Sequence, residues 1–228
     1  EFESLVAAHC DAAHSVAVSS CTTALHLSLL ALGIGPGDEV ICPSMSFIAT
    51  ANAIVHTGAR PVFADVCDET YNLDVESAES RITSRTQAIL LVHQVGLPAD
   101  LDAFLELAAR RGLALIEDAA CGLGSRYKGR PIGGHGGVVA CFSFHPRKII
   151  TTGEGGMITT DDGALAERLR KMRQHGMSVS DAVRHAAKRV VVEEYDGVGY
   201  NYRLSDIQAA VGCAQMKKLD WIVARRRE

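Results

Sequence analysis

Lys148 has an unusual setting for a lysine. It ends the run Cys141-Phe142-Ser143-Phe144-His145-Pro146-Arg147-Lys148, and Thr151-Thr152-Gly153-Glu154-Gly155-Gly156-Met157 follows it. A solvated surface cation has no need of an apolar approach and a Gly-rich exit. An amine held in a pocket does, because partial desolvation makes it a nucleophile toward a carbonyl. Upstream, the apolar segment Leu113-Ala114-Leu115-Ile116 delivers Glu117 and Asp118 at its end. A carboxylate at that place either caps a helix or faces a ligand, since ligands of open α/β sheets bind at the carboxyl ends of strands. A lysine that condenses with an aldehyde and an acid facing a pyridinium nitrogen are the two groups that pyridoxal phosphate (PLP) requires of a protein.

Elements able to position such groups are readable in the pattern. Short apolar, β-branched runs at 15–19, 39–42, 60–64, 88–92, 113–117, 138–142 and 157–160 read as strands. Amphipathic stretches at 23–32, 48–56, 75–81, 101–111, 162–176 and 207–219 read as helices, the last capped by Ser205-Asp206. A further helix pattern opens the chain at Phe2, Leu5 and Val6. Strand–helix alternation with near-continuous apolar strands predicts an α/β fold, a three-layer α/β/α arrangement around a mostly parallel central sheet. Pro61 falls at the start of its strand, where a missing N–H is tolerated. Residues 177–199 are polar and irregular, and read as a loop or a partner-contacting excursion.

Ser19-Ser20-Cys21-Thr22-Thr23 joins a strand to a helix. It is either a plain N-cap or a cradle in which backbone N–H groups and the positive helix end meet a phosphate. Phe47, after Pro43-Ser44-Met45-Ser46, is a core aromatic or a platform for a ring, and Ser143 could donate to a phosphate. His93 and His145 read as structural. No His/Cys/carboxylate spacing suggests a metal, and neither a G-x-G-x-x-G nor a Walker A sequence is present.

Composition narrows the class. The chain has 228 residues, 47% of them hydrophobic, enough for a large core. Net charge is −4, and the short run Arg225-Arg226-Arg227 is the only basic block, so a nucleic-acid partner is not expected. No apolar run approaches the ~20 residues that span a bilayer. The opening Glu1-Phe2-Glu3-Ser4 lacks the basic start and apolar core of a secretory signal. Seven cysteines without a C-x-x-C pair read as reduced thiols, which places the protein in a cytoplasm.

Taken in order, a phosphate cradle, a ring-stacking aromatic, an acid and a lysine resemble the DegT-type nucleotide-sugar aminotransferases, of PLP fold type I. The resemblance is carried by Ser20-Cys21-Thr22-Thr23-Ala24-Leu25-His26-Leu27, Leu32-Gly33-Ile34-Gly35-Pro36-Gly37-Asp38-Glu39-Val40, Pro43-Ser44-Met45-Ser46-Phe47-Ile48-Ala49-Thr50, Glu117-Asp118-Ala119-Ala120, the lysine and Gly-Glu-Gly-Gly segments, and Gly199-Tyr200-Asn201-Tyr202-Arg203. It implies that Lys148 is the Schiff-base lysine and proton shuttle, and that Asp118 is the pyridinium partner. Phe47 would stack on the ring, and Thr22, Thr23 and Ser143 would contact the phosphate. Asn201 would reach the phosphate of a neighbouring subunit, giving a homodimer with shared active sites. By the same resemblance Cys121 would stand beside the cofactor's phenolic oxygen, where many members carry Gln or His, and Cys21 would take a position where many carry Gly.

The implied reaction moves an amino group from an amino acid, usually glutamate in this family, to a keto-sugar nucleotide. A dehydratase branch of the family has His in place of the lysine, and Lys148 argues against it. The resemblance implies that residues 1–228 are the PLP-binding large domain, cut at both ends and without the smaller C-terminal domain that closes over substrate in family members. That gap leaves an alternative, a non-catalytic PLP-fold module that serves as a dimerisation or regulatory partner.

Overall fold

The structure, a computed structural model, describes residues 1–179, 192–195 and 197–228. Helix α1 (Phe2–Cys10) leads into β1 (His14–Val18), α2 (Cys21–Ala31), β2 (Glu39–Pro43), α3 (Ala49–His56) and β3 (Arg60–Ala64). Then follow α4 (Val75–Ser80), β4 (Thr86–Val92), α5 (Leu101–Arg111) and β5 (Ala114–Asp118). A small hairpin of β6 (Arg126–Tyr127) and β7 (Arg130–Pro131) precedes β8 (Val138–Ser143), β9 (Gly156–Thr160) and α6 (Gly163–Met172). Helices α7 (Asp206–Met216) and α8 (Leu219–Arg227) complete the described elements.

Seven strands form one sheet in the order β1-β9-β8-β5-β4-β2-β3. β9 runs antiparallel to both its neighbours, and the other pairings are parallel. Because side chains alternate across a strand, each strand feeds two cores. Ile41, Ile89, Leu91, Leu115, Ala140 and Phe142 join one cluster, packed under α1, α4, α5 and α8. Val40, Cys42, Leu90, Ile116, Val139 and Cys141 join the other, packed under α2, α3 and α6. This is the three-layer α/β/α arrangement with a mostly parallel sheet that the sequence predicts. Pro61 sits on β3, the edge strand, as its missing N–H requires.

Two helices differ from expectation. The stretch 162–176 stays helical only to Met172. After it the chain turns, with Gln174 bridging to Asn201 and His175 taking a left-handed φ of 62°. The stretch 207–219 is two helices, broken at Lys217-Lys218, and the second runs on to Arg227. The β6–β7 hairpin was not anticipated: each strand has two residues, too few to show alternation. Its turn, Lys128-Gly129, has positive φ at both positions. Much of the segment 177–199 lies outside the described residues.

Candidate active site

The parallel strands place the ends of β2, β4, β5 and β8 along one edge of the sheet, together with the start of α2. A cavity of about 410 Å³ opens there. Lys148, Asp118, Phe47, Thr22, Cys121 and Ser143 all line it.

Asp118 is the last residue of β5 and is 5% exposed. Thr50 donates to its Oδ2 at 2.7 Å, and the backbone N–H of Ala120 donates to Oδ1 at 3.1 Å. Thr50 has one proton and gives it to Asp118. In the 2.7 Å contact between the Ser46 and Thr50 hydroxyls, Ser46 must therefore be the donor. Burial pushes the Asp118 carboxyl above its usual range, opposed by Thr50, Ala120 and the charge of Lys148. An anion kept this far from water, with two lone pairs unused, is matched to a cationic N–H.

The neighbouring Glu117 faces the opposite side of the strand. Its Oε2 lies 2.9 Å from His93 Nε2, and both side chains are fully buried. His93 Nδ1 accepts the Ala99 N–H at 3.1 Å. Nδ1 is thus unprotonated, and Nε2–H donates to Glu117 from a neutral ring. The structural role expected of His93 is the one observed, although the residue also borders the cavity.

Lys148 is half-buried, in the loop after β8. Its Nζ donates to Cys121 Sγ at 3.2 Å, in the turn that follows β5. The loop returns into β9 through Gly155-Gly156, and both glycines are required by packing. A Cβ on Gly156 would run into the Ser20 carbonyl and the Cys21 nitrogen, and one on Gly155 into Thr152 Oγ1. The Gly-rich exit from Lys148 therefore lets β9 pass directly beneath the start of α2.

That start is a capping box. Ser20 Oγ accepts the Thr23 N–H at 3.1 Å, and Thr23 Oγ1 accepts the Ser20 N–H at 3.0 Å. Thr23's hydroxyl is engaged in the cap, and Thr23 is not among the lining residues, whereas Thr22 is. The N–H groups of Cys21 and Thr22, at the first two helical positions, have no intrahelical acceptor and are free for an anion. Cys21 turns its thiol inward to the Cys141 carbonyl at 3.4 Å, so the residue fits where a glycine would. Ser143 ends β8 at the cavity, its Oγ accepting the His145 N–H at 3.4 Å.

Phe47 is 74% exposed at the mouth, free to meet a ring. Asn201 is exposed and outside the cavity, and its Oδ1 accepts from Arg203 Nε at 3.2 Å. Thr50 and Ser46 were missed by the sequence reading, as was the rim residue Val95, 92% exposed with a left-handed φ of 52°. Three hydroxyl-bearing residues around Phe47 were the available signal for the first two. A free helix N-terminus, a buried carboxylate, an amine and an unpacked aromatic around one cavity fit pyridoxal phosphate. Among the described residues no cluster suits a metal ion.

An α/β layer sandwich with this edge is the class of the PLP aminotransferases. The chain belongs to the DegT/DnrJ/EryC1/StrS aminotransferase family, whose model matches residues 1–228. It is 46% identical over 228 residues to the spore coat polysaccharide biosynthesis protein SpsC of Bacillus subtilis, covering 100% of this chain and 58% of that protein. It is 46% identical over 226 residues to GDP-perosamine synthase of Caulobacter vibrioides, covering 99% and 58%. Among solved structures, DesV of S. venezuelae superposes with a TM-score of 0.89 at 44% identity, over 96% of this chain and 56% of that one. NtdA from Bacillus subtilis, solved with bound cofactor PMP, superposes at 0.84 and 33% identity, over 96% and 48%. The chain thus spans 58% of the length of those two curated relatives.

Proposed function

We propose that residues 1–228 are the cofactor-binding large domain of a PLP-dependent aminotransferase. It would move an amino group from an amino acid, glutamate being the expected donor, to a keto-sugar nucleotide. One observation carries the reading: the Lys148 amine, the buried Asp118 carboxylate and the free N-terminus of α2 face a single cavity. The relatives named for polysaccharide and GDP-perosamine synthesis support the sugar.

Bound there, pyridoxal phosphate supplies an electron sink for a breaking Cα–H bond and a carbon that carries the amino group. The Cys21 and Thr22 N–H groups and the Ser143 hydroxyl would bind its phosphate. Asp118 would hold a proton on the ring nitrogen through a charge-assisted bond, with Thr50 and Ala120 fixing the carboxylate in place. Phe47 would cover one face of the ring and exclude water. Lys148 Nζ would take the proton from the donor's Cα and return one to the carbon being aminated. Cys121, in contact with Nζ, would hold the amine aimed inward. Asn201 would serve a second copy, which accounts for its position outside its own cavity. Seven free cysteines support a reducing, cytoplasmic setting, and no helix among the described residues is long and apolar enough to cross a membrane.

The test is a panel of keto-sugar nucleotides with glutamate, run on residues 1–228 and on a chain of the relatives' length. Formation of 2-oxoglutarate and an amino sugar is expected from at least the longer chain. PLP binding without transfer to any sugar would favour the non-catalytic module instead.

A further inference from the structure

Cys121 differs from the other six cysteines. Cys10, Cys21, Cys42 and Cys141 are buried, Cys67 and Cys213 are half-buried, and Cys121 is exposed. Burial pushes the thiols of Cys10, Cys21, Cys42, Cys67 and Cys141 up, away from the thiolate that reacts with oxidants. Cys121 lines the cavity of about 410 Å³, which gives a small molecule a way in. Its Sγ also lies 3.2 Å from Lys148 Nζ. Among the described residues no other cysteine has an amine as its partner, and Lys148 Nζ has no carboxylate within bonding distance.

Both backbones are held in place. A Cβ on Gly96 would lie 2.8 Å from the Cys121 carbonyl oxygen, so the turn after β4 closes directly on Cys121. Ser125 Oγ donates to the Gly96 carbonyl at 2.6 Å and ties the two together. On the other side, the Lys148 N–H donates to the His145 carbonyl at 2.9 Å. The Thr151 hydroxyl and the Thr152 N–H both donate to the Phe144 carbonyl, at 2.8 and 3.0 Å. Sulfur and amine therefore meet from two anchored turns, and the flexible four-carbon stem of Lys148 can close the remaining gap. Packing does not explain the pair, because Cys121 is exposed and a thiol is a weak acceptor for an amine.

We propose that Cys121 and Lys148 form a peroxide-sensitive modification site, joined on oxidation by a reversible sulfur–nitrogen cross-link. The chemistry consumes one equivalent of hydrogen peroxide. The Cys121 sulfur attacks one peroxide oxygen, the O–O bond breaks, and the second oxygen leaves as water with the thiol proton. Sulfur is oxidised by two electrons to a sulfenic acid, and the peroxide is reduced. The lone pair of the uncharged Nζ then displaces the sulfenic hydroxyl, which leaves as a second water with one Nζ proton. The product is a sulfenamide. A thiol reductant attacks its sulfur, forming a mixed disulfide and freeing the amine, and a second thiol restores Cys121. The consequence rests on the aminotransferase reading. An amine bound to sulfur cannot condense with a carbonyl, so oxidation switches cofactor uptake off, and a lysine already joined to cofactor is protected.

Peptide mapping by mass spectrometry after hydrogen peroxide treatment tests this, on cofactor-free and on PLP-loaded protein. In the cofactor-free wild type, the Cys121 and Lys148 peptides should appear joined, two hydrogen atoms lighter than their sum. Dithiothreitol should separate them. Cys121→Ser should give no link, and Lys148→Ala should carry Cys121 on to the sulfinic acid, since no amine intercepts it. The wild-type result decides and does not depend on either variant folding. Cys121 left as a thiol, or oxidised on an unlinked peptide with Lys148 unmodified, overturns the proposal. PLP uptake should fall with the linked fraction and return with dithiothreitol, and prior loading with PLP should block the link. If no link forms while borohydride fixes PLP on Lys148, the cross-link fails and the aminotransferase reading survives. If the link forms equally with and without PLP, the modification site survives and Lys148 is not the cofactor's lysine.

Discussion

Thr50 donates its hydroxyl to Asp118 Oδ2 at 2.7 Å, joining the first turn of α3 to the end of β5. The bond fixes a carboxylate that burial makes costly to ionise. Asp118→Asn keeps the shape and removes the charge. The amide could donate to Thr50, whose proton would turn to Ser46, so no buried group is stranded. The half-reaction with glutamate should slow by about a hundredfold or more, read by stopped-flow absorbance.

The same variant has a pH signature. A carboxyl whose folded pKa is raised contributes stability at low pH that is lost as pH rises from the ordinary Asp range, about 4. The cofactor-free Asp118→Asn protein should therefore melt higher than wild type at neutral pH. The gap should close as pH falls below that range. Parallel melting curves at all pH values would contradict this.

Glu39 shows the opposite sign. It is buried at the start of β2, where Thr83, Arg60 and Arg85 hold its carboxyl down at about 2. Its stabilisation is present above the ordinary Glu range, about 4.3, and is lost as pH falls toward 2. Glu39→Gln should lower the denaturation midpoint at pH 7 and flatten the acid limb of the stability profile, measured by urea unfolding.

Gly156→Ala places a methyl against the Ser20 carbonyl, which is backbone and cannot swing aside. Overpacking of this kind costs about 1–3 kcal/mol. Because the displaced turn carries the free N–H groups of α2, PLP affinity should fall along with the melting temperature. A loss of stability with unchanged PLP affinity would separate the turn from phosphate binding.

How much of this was legible follows from where the signal lies. All seven strands of the sheet could be read, six because strands buried on both faces are apolar at nearly every position, as in Ala88-Ile89-Leu90-Leu91-Val92, and the largely exposed edge strand β3 from its apolar run Pro61-Val62-Phe63-Ala64. Lys148 and its Gly-rich exit could be read as a pocket, but the reason for Gly156, the passage of β9 beneath Ser20, is a contact distant in sequence. Likewise the pattern Ser-x-x-Thr at Ser20 and Thr23 does not say whether a hydroxyl turns to a ligand or to its own cap. Here Thr23 turns to the cap. The break at Lys217-Lys218 was hidden because the amphipathic pattern continues across it.

Asn201 lies outside its own cavity, and the proposed dimer puts it in the partner's. Mixing Lys148→Ala chains with Asn201→Ala chains would place both lesions in one site and leave the other intact. PLP retention should then recover above that of either variant alone. No recovery would mean that Asn201 serves its own subunit or neither.

The central claim is that the Lys148 amine is the group joined to the cofactor. Borohydride reduction of the PLP-loaded protein, followed by peptide mapping, tests it most directly. The account predicts a pyridoxyl label on Lys148, and none in Lys148→Ala. A label on Lys128, which is paired with Asp102 on the surface, or on Lys171 would contradict it.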